Sequence, residues 1–333
     1  MGRFAPSNKC LAAAVGLSVT ALLSLWYGVL KSSGFTAFER RDHFLPPEGT
    51  IRLVPAPWTA PPPSGWTRFV CFSDTHGRHF SIPSEHLLPA DVLLHAGDFT
   101  NTGELEQVRS FNKWLEDYPA KKKVLIAGNH DITFQEDYYV SRGAQRFHGG
   151  AHYNSSQAKG SLTCCTYLED TSVEVQGYRI YGSPWQPDFN DWAFNLPRGE
   201  ALQKCWAAIP SDTDILVVHG PPAGYVDITP VGRKGDVDLL AAIQNRSIPV
   251  VVTGHLHMGH GTATDGTTLF VNAATCTEEY APIQPPIVFD LAPAAELRRS
   301  EPALPVQDDD LSVEHLEHLL LLMAKKGQGR LLT

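Results

Sequence analysis

Six short apolar runs restrict this chain more than any other feature, because most of them end in a cluster of polar, chemistry-bearing residues. FVCFS (69–73) leads into Asp74-Thr75-His76, and DVLLHAG (91–97) leads into Asp98. KVLIAG (123–128) leads into Asn129-His130-Asp131, ILVVHG (215–220) carries His219, and PVVVTG (249–254) leads into His255-Leu256-His257. The sixth run is TLFVN (268–272). Runs this short and this rich in Val, Ile and Leu read as strands buried on both faces beneath helices. Helical stretches at 103–117 and 236–244 lie between them, and the alternation over Ser172–Ile180, broken at Gln176-Gly177, reads as an antiparallel hairpin. The predicted fold class is α/β, with a mixed sheet or a pair of sheets.

In open α/β sheets, ligands bind in the crevice beyond the carboxyl ends of the strands. Five successive runs here deliver carboxylates, imidazoles and an amide to such positions. Those groups suit Mn, Fe or Zn, and the absence of a thiolate among them argues against softer metals. The six cysteines (10, 71, 164, 165, 205 and 276) form no CxxC pair, so a zinc ribbon is excluded. With 27 Lys+Arg against 36 Asp+Glu the net charge is −9, which is unsuited to extended nucleic acid. An anionic substrate would therefore need positive charge supplied locally, and metal ions can supply it.

The ends of the chain read differently. Cys10–Leu30 is an uncharged apolar run of 21 residues, long enough to span about 30 Å of hydrocarbon as a helix. Residues 1–31 are expected to be a single-pass membrane anchor, and the flanking Arg and Lys lean toward a cytosolic catalytic domain. Residues 32–66 carry seven prolines between Pro46 and Pro63 and read as a semi-rigid linker. Residues 293–333 form a tail in which Val313, Leu316, Leu319, Leu320 and Met323 make one apolar helical face.

The ordered set Asp74-x-His76, Gly97-Asp98, Gly128-Asn129-His130-Asp131, His219 and Gly254-His255-x-His257 resembles the calcineurin-like metallophosphoesterase superfamily. YGSPWQPDFNDWAFN (181–195) and IPSDTDILVVHGPP (209–222) are similar to the small metallophosphoesterase-domain proteins related to class III cyclic nucleotide phosphodiesterases. The resemblance covers 67–292 and implies a metallophosphoesterase sandwich of two mixed β-sheets flanked by helices, with two divalent metal ions (Mn, Fe or Zn) at the sheet edge. By that resemblance Asp74, His76 and His257 hold one ion, Asn129, His219 and His255 hold the other, and Asp98 bridges them. His130 then faces the phosphate as a charge stabiliser or proton donor, and Asp131 orients His130.

The expected activity is metal-dependent hydrolysis of a small phosphoester by a metal-bridging hydroxide. Protein phosphatases of the superfamily place arginines after the bridging Asp and before Gly-Asn-His-Glu, whereas Phe99–Gly103 and Ile126-Ala127 contain none. A monoester carries more charge than a diester, so the missing guanidinium forks tilt the reading to a phosphodiesterase. The alternatives are a phosphomonoesterase or protein phosphatase, and a weakly active binding module. Trp185, Phe189, Trp192 and Phe194 are read either as loop packing or as a stacking surface, and Arg233 and Lys234 as a solvated turn. His79, His86, His95 and His260 fall outside the motif pattern.

Overall fold

All six apolar runs form strands. The structure, a computed structural model, describes residues 49–298. The expected anchor (1–31), the first part of the linker and the tail helix lie outside the described residues. Among the described residues no helix is long and apolar enough to cross a membrane.

The strands of the two large sheets are β1 (Ile51–Leu53), β2 (Thr67–Phe72), β3 (Ala90–His95), β4 (Ala120–Leu125), β5 (Thr166–Tyr167), β6 (Thr171–Val175), β7 (Tyr178–Ser183), β8 (Ile215–Val218), β9 (Val250–Thr253), β10 (Gly261–Thr264), β11 (Leu269–Asn272) and β12 (Ile287–Leu291). One sheet runs β1-β12-β2-β3-β4-β5, with β1 and β12 antiparallel and the other pairings parallel from β2 onward. The other runs β10-β11-β9-β8-β7-β6, parallel at its centre and antiparallel at both edges. Both sheets are therefore mixed, as expected.

The period of two along each strand explains why the runs are apolar throughout. Phe69, Cys71, Val92, Leu94 and Val124 turn inward to meet Ile180, Ile215, Val217, Val250, Val252 and Val271 of the opposite sheet. The alternate residues Val70, Phe72, Leu93 and Leu125 turn outward beneath α1 (Leu105–Asp117), which contributes Val108, Phe111, Trp114 and Leu115 at helical spacing. On the far side Leu216, Val218, Val251 and Phe270 lie beneath α2 (Glu200–Ala207) and α3 (Val237–Arg246). The side chain of Asp236 caps the last of these by accepting from Asp238 N–H at 2.9 Å. The order is thus helix, sheet, sheet, helix.

Two expected boundaries move. Residues 51–53 fall in the expected linker, yet they pair with β12, and Ile51 is only 1% exposed. Arg52 and Arg68 both bind the buried carboxylate of Asp290 and also donate to the carbonyls of Pro61 and Ala60. The proline-rich residues are thereby held against the sheet edge, so the domain starts before residue 67. At the other end Ala294 and Leu297 join the core between the sheets, so it also runs past residue 292. The prolines mark the whole segment as a linker, but Ile51–Leu53, which lacks proline, pairs at the sheet edge as a strand.

Candidate metal centre

The carboxyl ends of β2, β3, β4, β8 and β9 meet at one edge of the sandwich and bring all seven expected ligands together. Asp74, His76, Asp98 and His255 take positive φ values of 52°, 43°, 57° and 64°. Such conformations cost non-glycine residues about 1–3 kcal/mol each and survive only where their surroundings over-determine them. Here Asp74 N–H donates to Gly97 O and His76 N–H to Asp98 O, both at 2.9 Å, so the β2 and β3 loops hold each other in that shape.

Besides a group of His76, Asp98 and His130, the potential ligand atoms fall into one group of Asp74, His76 and His257 and another of Asp98, His219 and His255, each lying within 4.8 Å of one another. The Asp98 carboxylate stands between the two, 3.3 Å from His219 Nε2 and 3.9 Å from His76 Nε2. Asn129 Oδ1 is 3.0 Å from His219 Nε2. His219 Nδ1 donates to Ala96 O at 2.7 Å and His257 Nδ1 donates to Thr277 O at 2.9 Å. Those bonds fix the tautomer and leave each Nε2 lone pair facing inward, where a cation could take it. In the neutral ring His219 Nε2 confronts two oxygen acceptors with no hydrogen of its own, and His257 Nε2 sits 3.2 Å from His76 Nε2. An enclosed set of converging acceptors fits divalent cations.

The electrostatics carry the same message. Burial alone would lower His219 and His257, but the Asp98 and Asp74 carboxylates outweigh it and raise both to about 9. Burial lowers His76 and His255 to about 3 and leaves them neutral, ready to ligate. Against burial, the neighbouring histidines hold the Asp74 and Asp98 carboxyls below their usual range. The bare site thus keeps protons where cations would go, and cations displace them.

His130 belongs to the cluster but differs from the other histidines. Its backbone N–H donates to Asp98 Oδ1 and its ring Nδ1 to Asn101 O, both at 2.8 Å. Its face stacks on Trp192 and its ring meets His76 edge-on. Asp131 corrects an expectation, because its carboxylate does not reach the His130 ring. It accepts the N–H groups of Gly128, Asp98 and Thr100 and the Thr100 hydroxyl, at 2.6 to 2.9 Å. Burial and then the charge of Asp98 push its pKa up to about 7, and the Thr100 hydroxyl with the Gly128 and Thr100 N–H groups opposes that rise. Asp131 is a clamp on the loops after β3 and β4.

A cleft of about 630 Å³ opens over the cluster and is lined by Asp98, Asn129, His130, His255 and His257 together with Phe189, Arg198, Lys234 and Tyr280. The aromatic residues divide by role. Trp185 Nε1 donates to Asp170 and Phe194 is buried, so both are packing. Phe189 is 46% exposed, lines the cleft and meets His255 edge-on. Lys234 also lines the cleft, whereas Arg233 pairs with Asp227. Tyr280, which sequence reasoning missed, contacts His76, His130 and His257 from a loop with no periodic signal. His95 bonds Thr75, directly behind the cluster, and His79 bonds Ser110 of α1; both rings pack on Phe111.

The glycines before the ligands are there for room. A Cβ on Gly128 would strike the Asp98 carboxylate, and one on Gly254 would strike the Asp74 carboxylate and the Ser73 hydroxyl. Gly254→Ala should therefore displace Asp74 at about 1–3 kcal/mol of stability, a cost typical of overpacking. Metal analysis beside thermal melting checks this: we expect a folded protein with depleted metal, and full metal content would show that the loop yields freely.

Comparison with known proteins adds three findings. A family model described as calcineurin-like phosphoesterase matches residues 67–259. Human metallophosphoesterase domain-containing protein 1 is 45% identical over 276 residues, spanning 80% of this chain and 83% of that protein, and its mouse counterpart gives the same figures. A UPF0046 protein of Caenorhabditis elegans is 40% identical over 238 residues, spanning 67% of this chain and 60% of that protein.

Proposed function

Since the chain belongs to the calcineurin-like phosphoesterase family, whose domain is that of a metal-dependent phosphoester hydrolase, we propose that it is a phosphodiesterase acting on small phosphodiesters. In this reading Asp74, His76 and His257 hold one divalent cation, Asn129, His219 and His255 hold a second, and Asp98 is shared. When bound, such ions supply positive charge at the phosphoryl oxygens and make water acidic near neutral pH.

The observation that carries the diester preference is the lack of a free guanidinium fork on the cleft wall among the described residues, where Lys234 adds only a point charge. Among the described residues one arginine lines the main cleft, Arg198, and its guanidinium is spent on the carbonyls of Lys234 and Gly235. No free fork is left to neutralise the extra charge of a monoester. Phe189 and Tyr280 offer apolar walls suited to the second ester group. His130, with Nδ1–H engaged by Asn101 O, carries a second N–H on Nε2 in its imidazolium form, and that proton is the one it gives to the leaving oxygen, returning the ring to neutral. The apolar run 10–30 would tether this activity to a membrane, which co-sedimentation of the full chain with vesicles tests.

The test is hydrolysis of bis(p-nitrophenyl) phosphate and p-nitrophenyl phosphate by the full chain with Mn²⁺, against a chelated control. We expect metal-dependent turnover with the diester favoured, and a preference for the monoester would overturn the reading. His130→Ala should keep its metal and lose about 10²–10⁴-fold in kcat on diesters with basic leaving groups, and far less on p-nitrophenyl esters. A metal-free His130→Ala protein would make His130 a ligand.

A further inference from the structure

We infer that Trp192 is a positioning residue for His130, as the middle layer of an aromatic stack that fixes the angle of the ring. This rests on the reading of His130 as the group that protonates the leaving oxygen.

The stack has four members drawn from three segments. The His130 and Trp192 rings lie 4.0 Å apart and 26° from parallel, and Trp192 and Phe147 lie 4.3 Å apart and 29° from parallel. The Arg146 guanidinium caps the column, with Cζ 5.1 Å from the centre of the Phe147 ring. The loop that carries Trp192 is bound just as closely. Arg146 donates to the Asp191 carboxylate and to the Asn190 carbonyl at 3.0 Å, and Arg142 donates to Asp191 Oδ1 at 2.8 Å. The Tyr138 hydroxyl adds a bond to Asp191 O at 2.6 Å. Asn190 and Asp191 both stand at positive φ, a conformation these surrounding bonds maintain.

Three restraints then act on one imidazole. Asn101 O fixes the in-plane rotation through Nδ1, Trp192 covers one face, and the His76 ring, 4.6 Å away at 80°, approaches edge-on. With Asp131 engaged elsewhere, the Asn101 carbonyl and the Trp192 face do the orienting that a neighbouring carboxylate was expected to do. A hydrogen bond alone lets an imidazole swing about its axis, whereas a stacked face opposes that swing. Misplacing a catalytic group by about 1 Å can cost about 10²-fold in rate.

Protonation matters in proportion to the basicity of the leaving group, so the readout is the dependence of kcat on leaving-group pKa across a series of substituted phenyl phosphodiesters. Full-length wild type, Trp192→Ala, Trp192→Phe and His130→Ala are compared, with metal content and melting temperature measured for each. We expect Trp192→Ala to keep wild-type metal content, to lose about 10²-fold on the most basic leaving groups and to lose only a few-fold on p-nitrophenolate. The steeper slope should match that of His130→Ala, and Trp192→Phe, which keeps a stacking face, should restore most of the rate. A uniform loss across the series, or none, would overturn the proposal, and Trp192→Phe decides it if the alanine variant does not fold. A wild type that hydrolyses no member of the series would instead sink the phosphodiesterase reading itself.

Discussion

Asp98→Asn should remove metal-dependent hydrolysis almost completely, by about 10⁴-fold, while leaving a folded domain. Asp98 lies between the two ligand groups, within 4 Å of both His76 Nε2 and His219 Nε2. A single carboxylate in that position is what allows two cations to sit close together, and the several kcal/mol of charge stabilisation they provide leave with it. The amide retains an oxygen at the position of Oδ1, so it can still accept from His130 N–H and keep the neighbouring loop in place. It also removes the charge that raises His219 above its ordinary value, so burial then returns that ring to the neutral form. Metal per chain, kcat and melting temperature separate the outcomes. An Asn variant that retained two ions and turned over within tenfold of wild type would show that Asp98 is not the shared ligand.

A chain beginning at residue 67 should be unstable, and one beginning at residue 49 should melt like the full-length protein. The shorter chain loses β1 and with it the buried side chains of Ile51 and Val54. At about 1.5–3 kcal/mol for each such side chain, the loss is about 3–6 kcal/mol. Domains of this kind are stable by only about 5–15 kcal/mol, so a large share is removed. Two further costs follow. The buried Asp290 carboxylate loses Arg52 and keeps Arg68 alone, and β12 becomes an unpaired sheet edge prone to aggregation. Thermal melting and size-exclusion chromatography of the two proteins check this. Equal melting temperatures would mean that β1 is an ornament on the sheet.

The site was legible because metal ligands are few in kind and each followed a strand that announced itself by its own composition. The errors share one cause. The motif Asn129-His130-Asp131 suggests that Asp131 serves His130, yet its partners Asp98 and Thr100 lie 33 and 31 residues away and arrive only when β3 and β4 pair. Trp192 was visible as one of four aromatics in a segment, but its stack requires Phe147 from a different segment. Tyr280 stood in a loop without pattern and reached the ligands by tertiary packing alone. The strand Ile51–Leu53 is three residues long among prolines, too short to show a period.

What the sequence by itself determined was the fold class, the six buried strands and the seven candidate ligands that the strand ends bring together. Periodicity, residue type and order along the chain are local properties, and these features depend on little else. Only the tertiary structure decided which side chains pack around His130, what Asp131 holds and where the domain begins and ends. Each of those depends on a contact between residues far apart in the chain, as when Arg68 meets Asp290 across 222 positions, and the sheet order alone selects such contacts.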